Sequence, residues 1–148
     1  LYIYTGAFGD CNSLKQITLP ANVSEVSTGA GGKMNTYSPF KGSRNLTTIN
    51  VANGNNTYKS YDGCLYNSNL SELIYCPEGS NSITIAPSTT SINQFAFVTA
   101  KYLGHSEEEP KLKSIYFNTC SPNIPETTFP CITATAYYNN CLNNWPSD

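Results

Sequence analysis

The apolar residues near the start of the chain stand at intervals that recur further along it. Counting from Phe8, Ile3 lies five residues before, and Leu14, Ile17 and Leu19 lie six, nine and eleven after. Around Phe40 the same intervals reach Leu46, Ile49 and Val51. Around Phe97, Ile92 again lies five before, while Leu112, Ile115 and Phe117 follow at fifteen, eighteen and twenty, the same ladder displaced by nine. Self-similarity at a fixed period is the signature of stacked repeats, whose units are too small to bury an apolar face except against their neighbours. The frame predicts a β-rich repeat solenoid of short strands.

Each frame carries one rung. In Lys15–Leu19, Ile17 and Leu19 alternate with Gln16 and Thr18, the period of a strand with one buried face. Pro20 ends the rung because it has no N–H to continue a ladder. The chain returns through Val23 and Val26. It then takes nine residues more to reach Phe40 than separate Ile3 from Phe8. That excess coincides with the Gly-rich run Ser27-Thr-Gly-Ala-Gly-Gly-Lys-Met and reads as an insertion near 27–38. A second rung, Thr47–Val51, points Ile49 and Val51 inward and Thr48 and Asn50 outward. With the insertion set aside, the interval from Ile17 to Ile49 falls within the roughly 20–29 residues of a leucine-rich repeat. Ile83-Thr-Ile85 repeats Ile17-Thr-Leu19. The fourth rung, Lys113–Phe117, turns Ser114 and Tyr116 outward, and Ile83 stands as far from Ile115 as Ile17 does from Ile49. A second insertion, near 98–111, carries the acidic run His105-Ser-Glu-Glu-Glu-Pro110, expected to be a solvated loop.

Between the second and third rungs, residues 53–77 form a different unit. Asp62-Gly63 between Tyr58–Tyr61 and Cys64–Tyr66 is a strong hairpin signal. A further strand, Glu72–Cys76, stops at Pro77. In the tail, Ser121-Pro-Asn-Ile-Pro-Glu breaks the repeat. Tyr138, Cys141, Leu142 and Trp145 then fall on one helical stripe, predicting a short C-terminal capping helix held by packing, since its Asn-rich face is a poor helix former. The expected organisation is a single domain, with repeats over 1–120 and a cap over 121–148. The chain opens inside a repeat at Leu1-Tyr2-Ile3, which suggests a piece of a longer protein with its targeting and anchoring segments elsewhere.

With eight Lys and Arg and a net charge of −2, the sequence offers no basic patch to neutralise phosphates, and nucleic acid is not an expected partner. No stretch approaches the roughly 20 apolar residues of a membrane helix. The six cysteines, Cys11, Cys64, Cys76, Cys120, Cys131 and Cys141, form no CxxC pair, and His105 is the lone histidine, so a zinc site is not expected. The simplest reading is buried free thiols, with Cys11 a small hydrophobe inside the frame. The alternative is disulfides, at Cys64–Cys76 and within the set Cys120, Cys131 and Cys141.

The pattern I-x-x-x-A-F-x-x-C-x-x-L-x-x-I-x-L-P over Ile3–Pro20 resembles the BspA-type leucine-rich repeat. The Phe40 and Phe97 units are similar but depart from it: Pro39 replaces the Ala, Ala52 follows Val51 in place of Pro, and Pro87 is one position late. The unit running through Asn56-Thr-Tyr58, Tyr61-Asp-Gly-Cys-Leu-Tyr66 and Leu73-Ile-Tyr-Cys-Pro77 resembles the interruption common among these repeats. The Tyr138…Trp145 ending resembles the family's terminal cap, without the usual Val-Pro before it. The resemblance implies a curved solenoid, secreted or displayed on a bacterial cell surface, in modules associated with adhesion to host matrix proteins and to other cells.

Catalytic motifs are absent: there is no GxSxG, no HExxH and no phosphate-cradling Gly loop. Asp10, Asp62 and Glu72 are too scattered for a paired-carboxylate mechanism, and Asp62 is explained by its turn. His105 beside Glu107–Glu109 reads as a solvated charge run. Loop Asp, Asn and Ser could supply oxygen to calcium, but no EF-hand spacing appears, and no cofactor is expected. Asn22, Asn45, Asn55 and Asn69 head glycosylation tripeptides, as chance provides in so Asn- and Ser-rich a composition. The surplus is eleven tyrosines. Most read as packed strand residues, but alternation turns Tyr116 outward. With Gln16, Thr18, Thr48, Asn50 and Ser114 it forms a candidate strip on the concave face, where solenoids bind. The expected function is non-enzymatic recognition of a host extracellular-matrix or cell-surface protein or a bacterial protein. A glycan-binding module and a structural spacer are the alternatives, and the two insertions are the competing site.

Overall fold

The structure is a computed structural model that describes residues 1–27, 38–99, 101, 104, 106–120, 122–126, 128, 129 and 131–138. Among them the strands are β1 (Tyr2–Ile3), β2 (Gln16–Leu19), β3 (Glu25–Val26), β4 (Thr48–Val51), β5 (Tyr58–Tyr61) and β6 (Cys64–Asn67). They continue with β7 (Glu72–Tyr75), β8 (Ser82–Ile85), β9 (Ser91–Ile92), β10 (Ser114–Phe117) and β11 (Thr135–Tyr138).

The repeat frame translates directly into strand register. Parallel β2 and β4 set Ile17 beside Ile49 and Leu19 beside Val51, and parallel β8 and β10 set Ile83 beside Ile115 and Ile85 beside Phe117. The two pairs share one sequence offset, so the rung register is the same across both insertions. The two-residue strands show the bare period: β1 and β3 pair Tyr2 with Glu25 and Ile3 with Val26, a shorter offset with no insertion inside it. Equivalent turns stack as well. Phe8 lies over Phe40 with ring centroids 5.7 Å apart, Phe40 contacts Tyr75 at 5.5 Å, and Phe97 contacts Phe129 at 4.7 Å.

Stacking decides which frame residues are buried. Phe40, Leu46 and Ile49 are fully buried, whereas Phe8, Leu14 and Ile17, their counterparts in the first repeat, are only partly covered. The same asymmetry overturns the expectation for Cys11, which is exposed. Its counterpart Ser43 is 1% exposed and donates its hydroxyl to the Phe8 carbonyl at 2.5 Å. The position is buried only where a preceding repeat lies over it, and no described residue covers the outer side of the first.

Residues 53–77 form a partition between two cores. The hairpin β5–β6 turns at Asp62-Gly63, both with positive φ (47° and 76°), as a two-residue turn matched to strand twist requires. Strand β7 pairs antiparallel with β6 and parallel with β9, so the unit enters the stack through its last strand. Alternation along β6 sends Leu65 into one cluster, with Phe40, Leu46 and Ile49, and sends Cys64 and Tyr66 into the other, with Ile83, Ile85 and Ile115. Buried on both faces, the strand is apolar from Cys64 to Tyr66, as an internal strand must be, and turns polar at Asn67. Several polar groups at the seam are paired, although the buried Ser60 and Tyr75 hydroxyls have no hydrogen-bond partner among the described residues. The Tyr66 hydroxyl accepts the Ala86 N–H at 3.2 Å, and the Tyr58 hydroxyl accepts the Val26 N–H at 2.9 Å. Asn55 is nearly buried: its amide donates to the Pro20 and Val23 carbonyls at 3.2 and 3.0 Å, and its oxygen accepts the Thr57 and Tyr58 N–H groups, each at 2.8 Å. A side chain so occupied is no glycan acceptor.

The C-terminal region differs from expectation. Tyr138, first residue of the expected capping stripe, ends β11, which extends the β8–β10 sheet by pairing Ser114 with Thr135 and Phe117 with Tyr138. No helix occurs among the described residues, and Cys141, Leu142 and Trp145 lie outside them. The open edge of β10 offers Tyr138 backbone hydrogen bonds that a short Asn-rich helix could not match. Of the cysteines, Cys64 and Cys76 are buried free thiols, Cys131 is free and exposed, and Cys120 is disulfide-bonded. The first insertion and His105 fall outside the described residues. The second insertion is exposed but tethered: Glu108 pairs with Arg44 at 2.5 Å, Glu109 pairs with Lys101, and Lys111 donates to the Asn45 side chain at 2.7 Å.

Candidate functional site

Register places the outward residues of the long strands side by side, but in two groups. Gln16 lies beside Thr48, and Thr18 beside Asn50, on the solvent face of β2 and β4. Ser114 and Tyr116 belong to the separate sheet β8–β10–β11. The interruption parts the two groups, which the repeat frame alone could not reveal.

The hairpin tip fills the gap like a rung. Ile49 N–H donates to the Gly63 carbonyl at 2.9 Å on one side, and Thr84 N–H donates to the Asp62 carboxylate at 2.5 Å on the other. This close approach leaves no room for a side chain at Gly63, where a Cβ would stand 2.7 Å from the Thr47 carbonyl oxygen. The outward face therefore runs from Gln16 and Thr48 past Asp62 to Ser82, Thr84, Ser114 and Tyr116. The first field is neutral and carries hydroxyls and amides; Asp62 is the one acidic group at the seam.

Sequence reasoning missed two members of the second field. Thr84 is the register partner of Tyr116, and the offset from Ile83 to Ile115 already implied it. Tyr137 is the other: it lies beside Tyr116 on β11, and the rings stack with centroids 4.8 Å apart and planes 13° from parallel. No sequence period leads to it, because β11 follows β10 at a shorter interval than the repeat frame uses anywhere else. Tyr116 remains 42% and Tyr137 47% exposed, so two large side chains stand in water beside Thr84, Ser114 and Thr135. Beneath Tyr116, Ile83, Ile115 and Phe117 are buried, which fixes β8 and β10, whereas β11 is held by its pairing to β10 and is exposed along its length.

Among the described residues no group of three or more His, Cys, Asp or Glu is placed to hold a metal ion. Ionisation is perturbed mainly inside. Burial pushes the Tyr58, Tyr66 and Tyr75 hydroxyls up from their ordinary value. In the second insertion the Lys101 ammonium lowers the Glu109 carboxyl through their hydrogen bond, on a fully exposed surface.

The spacing, the in-register parallel rungs and the interruption have a counterpart among known families: the model of the BspA type leucine-rich repeat region, which describes a region of six copies, matches residues 1–83. The chain belongs to that family. The BspA-type match takes in β1 to β4, the whole partition, and the start of β8. Among solved structures, a leucine-rich repeat protein from Eubacterium ventriosum is 18% identical, with a TM-score of 0.50, over 88% of this chain and 37% of its own length. The pneumococcal vaccine antigen PcpA is 22% identical, with a TM-score of 0.47, over 71% of this chain and 22% of its own. This BspA-type chain thus spans well under half of either structure. A search of curated proteins found no significant match. No helix among the described residues is long and apolar enough to cross a membrane.

Proposed function

We propose that this chain is a non-enzymatic recognition module of an extracellular bacterial surface protein, binding a host or bacterial protein through the solvent face of its long strands. The reading rests on the exposed Tyr116–Tyr137 stack, raised on a sheet that is packed beneath β8 and β10 and exposed along β11. Tyrosine pairs large contact area with a hydrogen-bonding end and few rotatable bonds, which suits it to interface hot spots. Thr84, Ser114 and Thr135 supply the polar surroundings such a centre needs, and Gln16, Thr18, Thr48 and Asn50 carry a neutral polar face on the far side of the partition.

A glycan ligand is the second reading, favoured by the hydroxyls of Thr84, Ser114 and Thr135 around the same aromatic pair. A panel of extracellular-matrix proteins and a glycan array, probed with the purified chain, separates the two. Tyr116→Ala and Tyr137→Ala should each weaken binding at least about fivefold, equivalent to about 1 kcal/mol or more for a hot spot. Competition by free oligosaccharide would select the glycan reading. Binding that survives both substitutions would move the site to the insertions near 27–38 and 98–111.

A further inference from the structure

Among the described residues Cys64 and Cys76 are the two most deeply buried free thiols, 0% and 4% exposed, and they share the core cluster around Ile83 and Ile115. They meet across an antiparallel pair. Strands β6 and β7 set Leu65 opposite Tyr75, beyond a register shift between Leu65 and Tyr66, and that pairing extended by one residue past the end of β7 brings Cys64 to Cys76. Cys76 is the neighbour that most raises the Cys64 thiol, and the Cys76 thiol itself donates to the Pro77 carbonyl at 3.9 Å. Cys76 is held in place by its own N–H, which donates to the Ala96 carbonyl at 2.7 Å. Directly opposed antiparallel residues have Cα atoms about 4.5–5.5 Å apart, inside the roughly 4.4–6.8 Å span of natural disulfides. A bond at this position therefore needs side-chain rotation but no backbone shift.

We propose that Cys64–Cys76 is a modification site, closed as a cross-strand disulfide when the protein folds in an oxidising compartment. A second observation points the same way: Cys120 is already disulfide-bonded, and the conditions that close it act equally on two thiols in contact. Oxidised glutathione, or a protein disulfide of the same class, supplies the oxidant. The Cys64 thiolate attacks the disulfide and releases one glutathione thiolate. The Cys76 thiolate then attacks the Cys64 sulfur and releases the second. Two protons pass from the cysteines to the two glutathiones, and two electrons pass to the oxidant.

Timing follows from burial. The neighbouring Cys76 thiol and the loss of solvent hold the Cys64 thiol well above its ordinary ionisation range, so the packed hairpin supplies little thiolate. Closure belongs to folding, before the partition is sandwiched between its two cores. Once closed, the bond is shielded from reductant by the same packing.

The test is to refold the chain in a glutathione buffer oxidising enough to close the Cys120 disulfide. Thiols are then quenched with N-ethylmaleimide in denaturant without reductant, and the cysteine pairing is mapped by mass spectrometry. The expected result is one linked species joining the Cys64 and Cys76 peptides, released by reductant, with Cys11 and Cys131 outside it. Maleimide or glutathione on Cys64 or Cys76, or linkage of either to Cys11 or Cys131, overturns the proposal. As a second readout, reductant should lower the Tm of the wild-type chain several degrees further than that of Cys64→Ala/Cys76→Ala. An equal fall in the two would also overturn it.

Discussion

Leu65→Ala tests whether the partition joins the two halves of the molecule into one cooperative unit. Leu65 is fully buried against Phe40, Leu46 and Ile49, while its chain neighbours Cys64 and Tyr66 pack on the other side of the strand. Truncation removes roughly three carbons, and at about 0.8 kcal/mol each the lost transfer term is about 2.4 kcal/mol. A partition clamped from both sides cannot collapse into the void, so the cavity term brings the total to about 3–4 kcal/mol. At about 1.4 kcal/mol per decade, amides that exchange through global opening should lose protection by more than about a hundredfold. Native-state hydrogen exchange, read by mass spectrometry on peptides from β2, β4, β8 and β10, gives the answer. If β6 couples the cores, protection falls by the same factor in all four strands. Loss confined to β2 and β4, with β8 and β10 unchanged, would show that the halves open independently and that the double burial of β6 carries no cooperativity.

Two further outcomes follow from buried polar groups. Asn55→Ala strands the Val23 carbonyl and two N–H groups at the seam between the first return leg and the hairpin, while the Pro20 carbonyl keeps the Val23 N–H, and should cost about 2–4 kcal/mol. The measurement is a lower urea midpoint with an unchanged m-value, and a shift below about 0.5 kcal/mol would mean that water replaces the amide at no loss. Alkaline stability depends on Tyr58, Tyr66 and Tyr75, whose folded-state values lie above that of the unfolded chain. Their contribution is fully present below about pH 10 and is lost as pH rises through the raised values, because only the unfolded chain ionises freely. Tyrosinate absorbance should therefore include a component that rises together with loss of the strand circular-dichroism signal. Ionisation of all eleven tyrosines ahead of unfolding would refute the assignment.

The rungs were legible because two simple periods coincide in them. Alternation identifies Ile17, Ile49, Ile83 and Ile115 as inward, and the long recurrence identifies which of them are neighbours. The Asp62-Gly63 turn was legible for a local reason, since few other pairs adopt two successive positive φ values cheaply. What the pattern could not supply was adjacency across units that lack the frame. The partition stands between Asn50 and Thr84, so the expected single strip is two fields joined at Asp62. Tyr137 joins Tyr116 by an offset that matches no other strand pairing described. Tyr138 satisfies a helical stripe on paper, yet the unpaired edge of β10 decides its conformation. Cys11 fits the buried frame in sequence, but burial is a property of the stack and not of the single repeat.

The parallel pairings of Ile3 with Val26, Ile17 with Ile49 and Tyr116 with Tyr137 enclose different lengths of chain, and this bears on how such a chain can vary. Adding or removing a residue within a rung would turn every later side chain of that strand to the opposite face. Lengthening the segment between two rungs turns none. Chain length and side-chain phase are thus independent variables in this architecture. The long strands preserve a common spacing and orientation for whatever the face contacts, while the connecting segments remain free to differ in size, charge and sequence from one relative to the next.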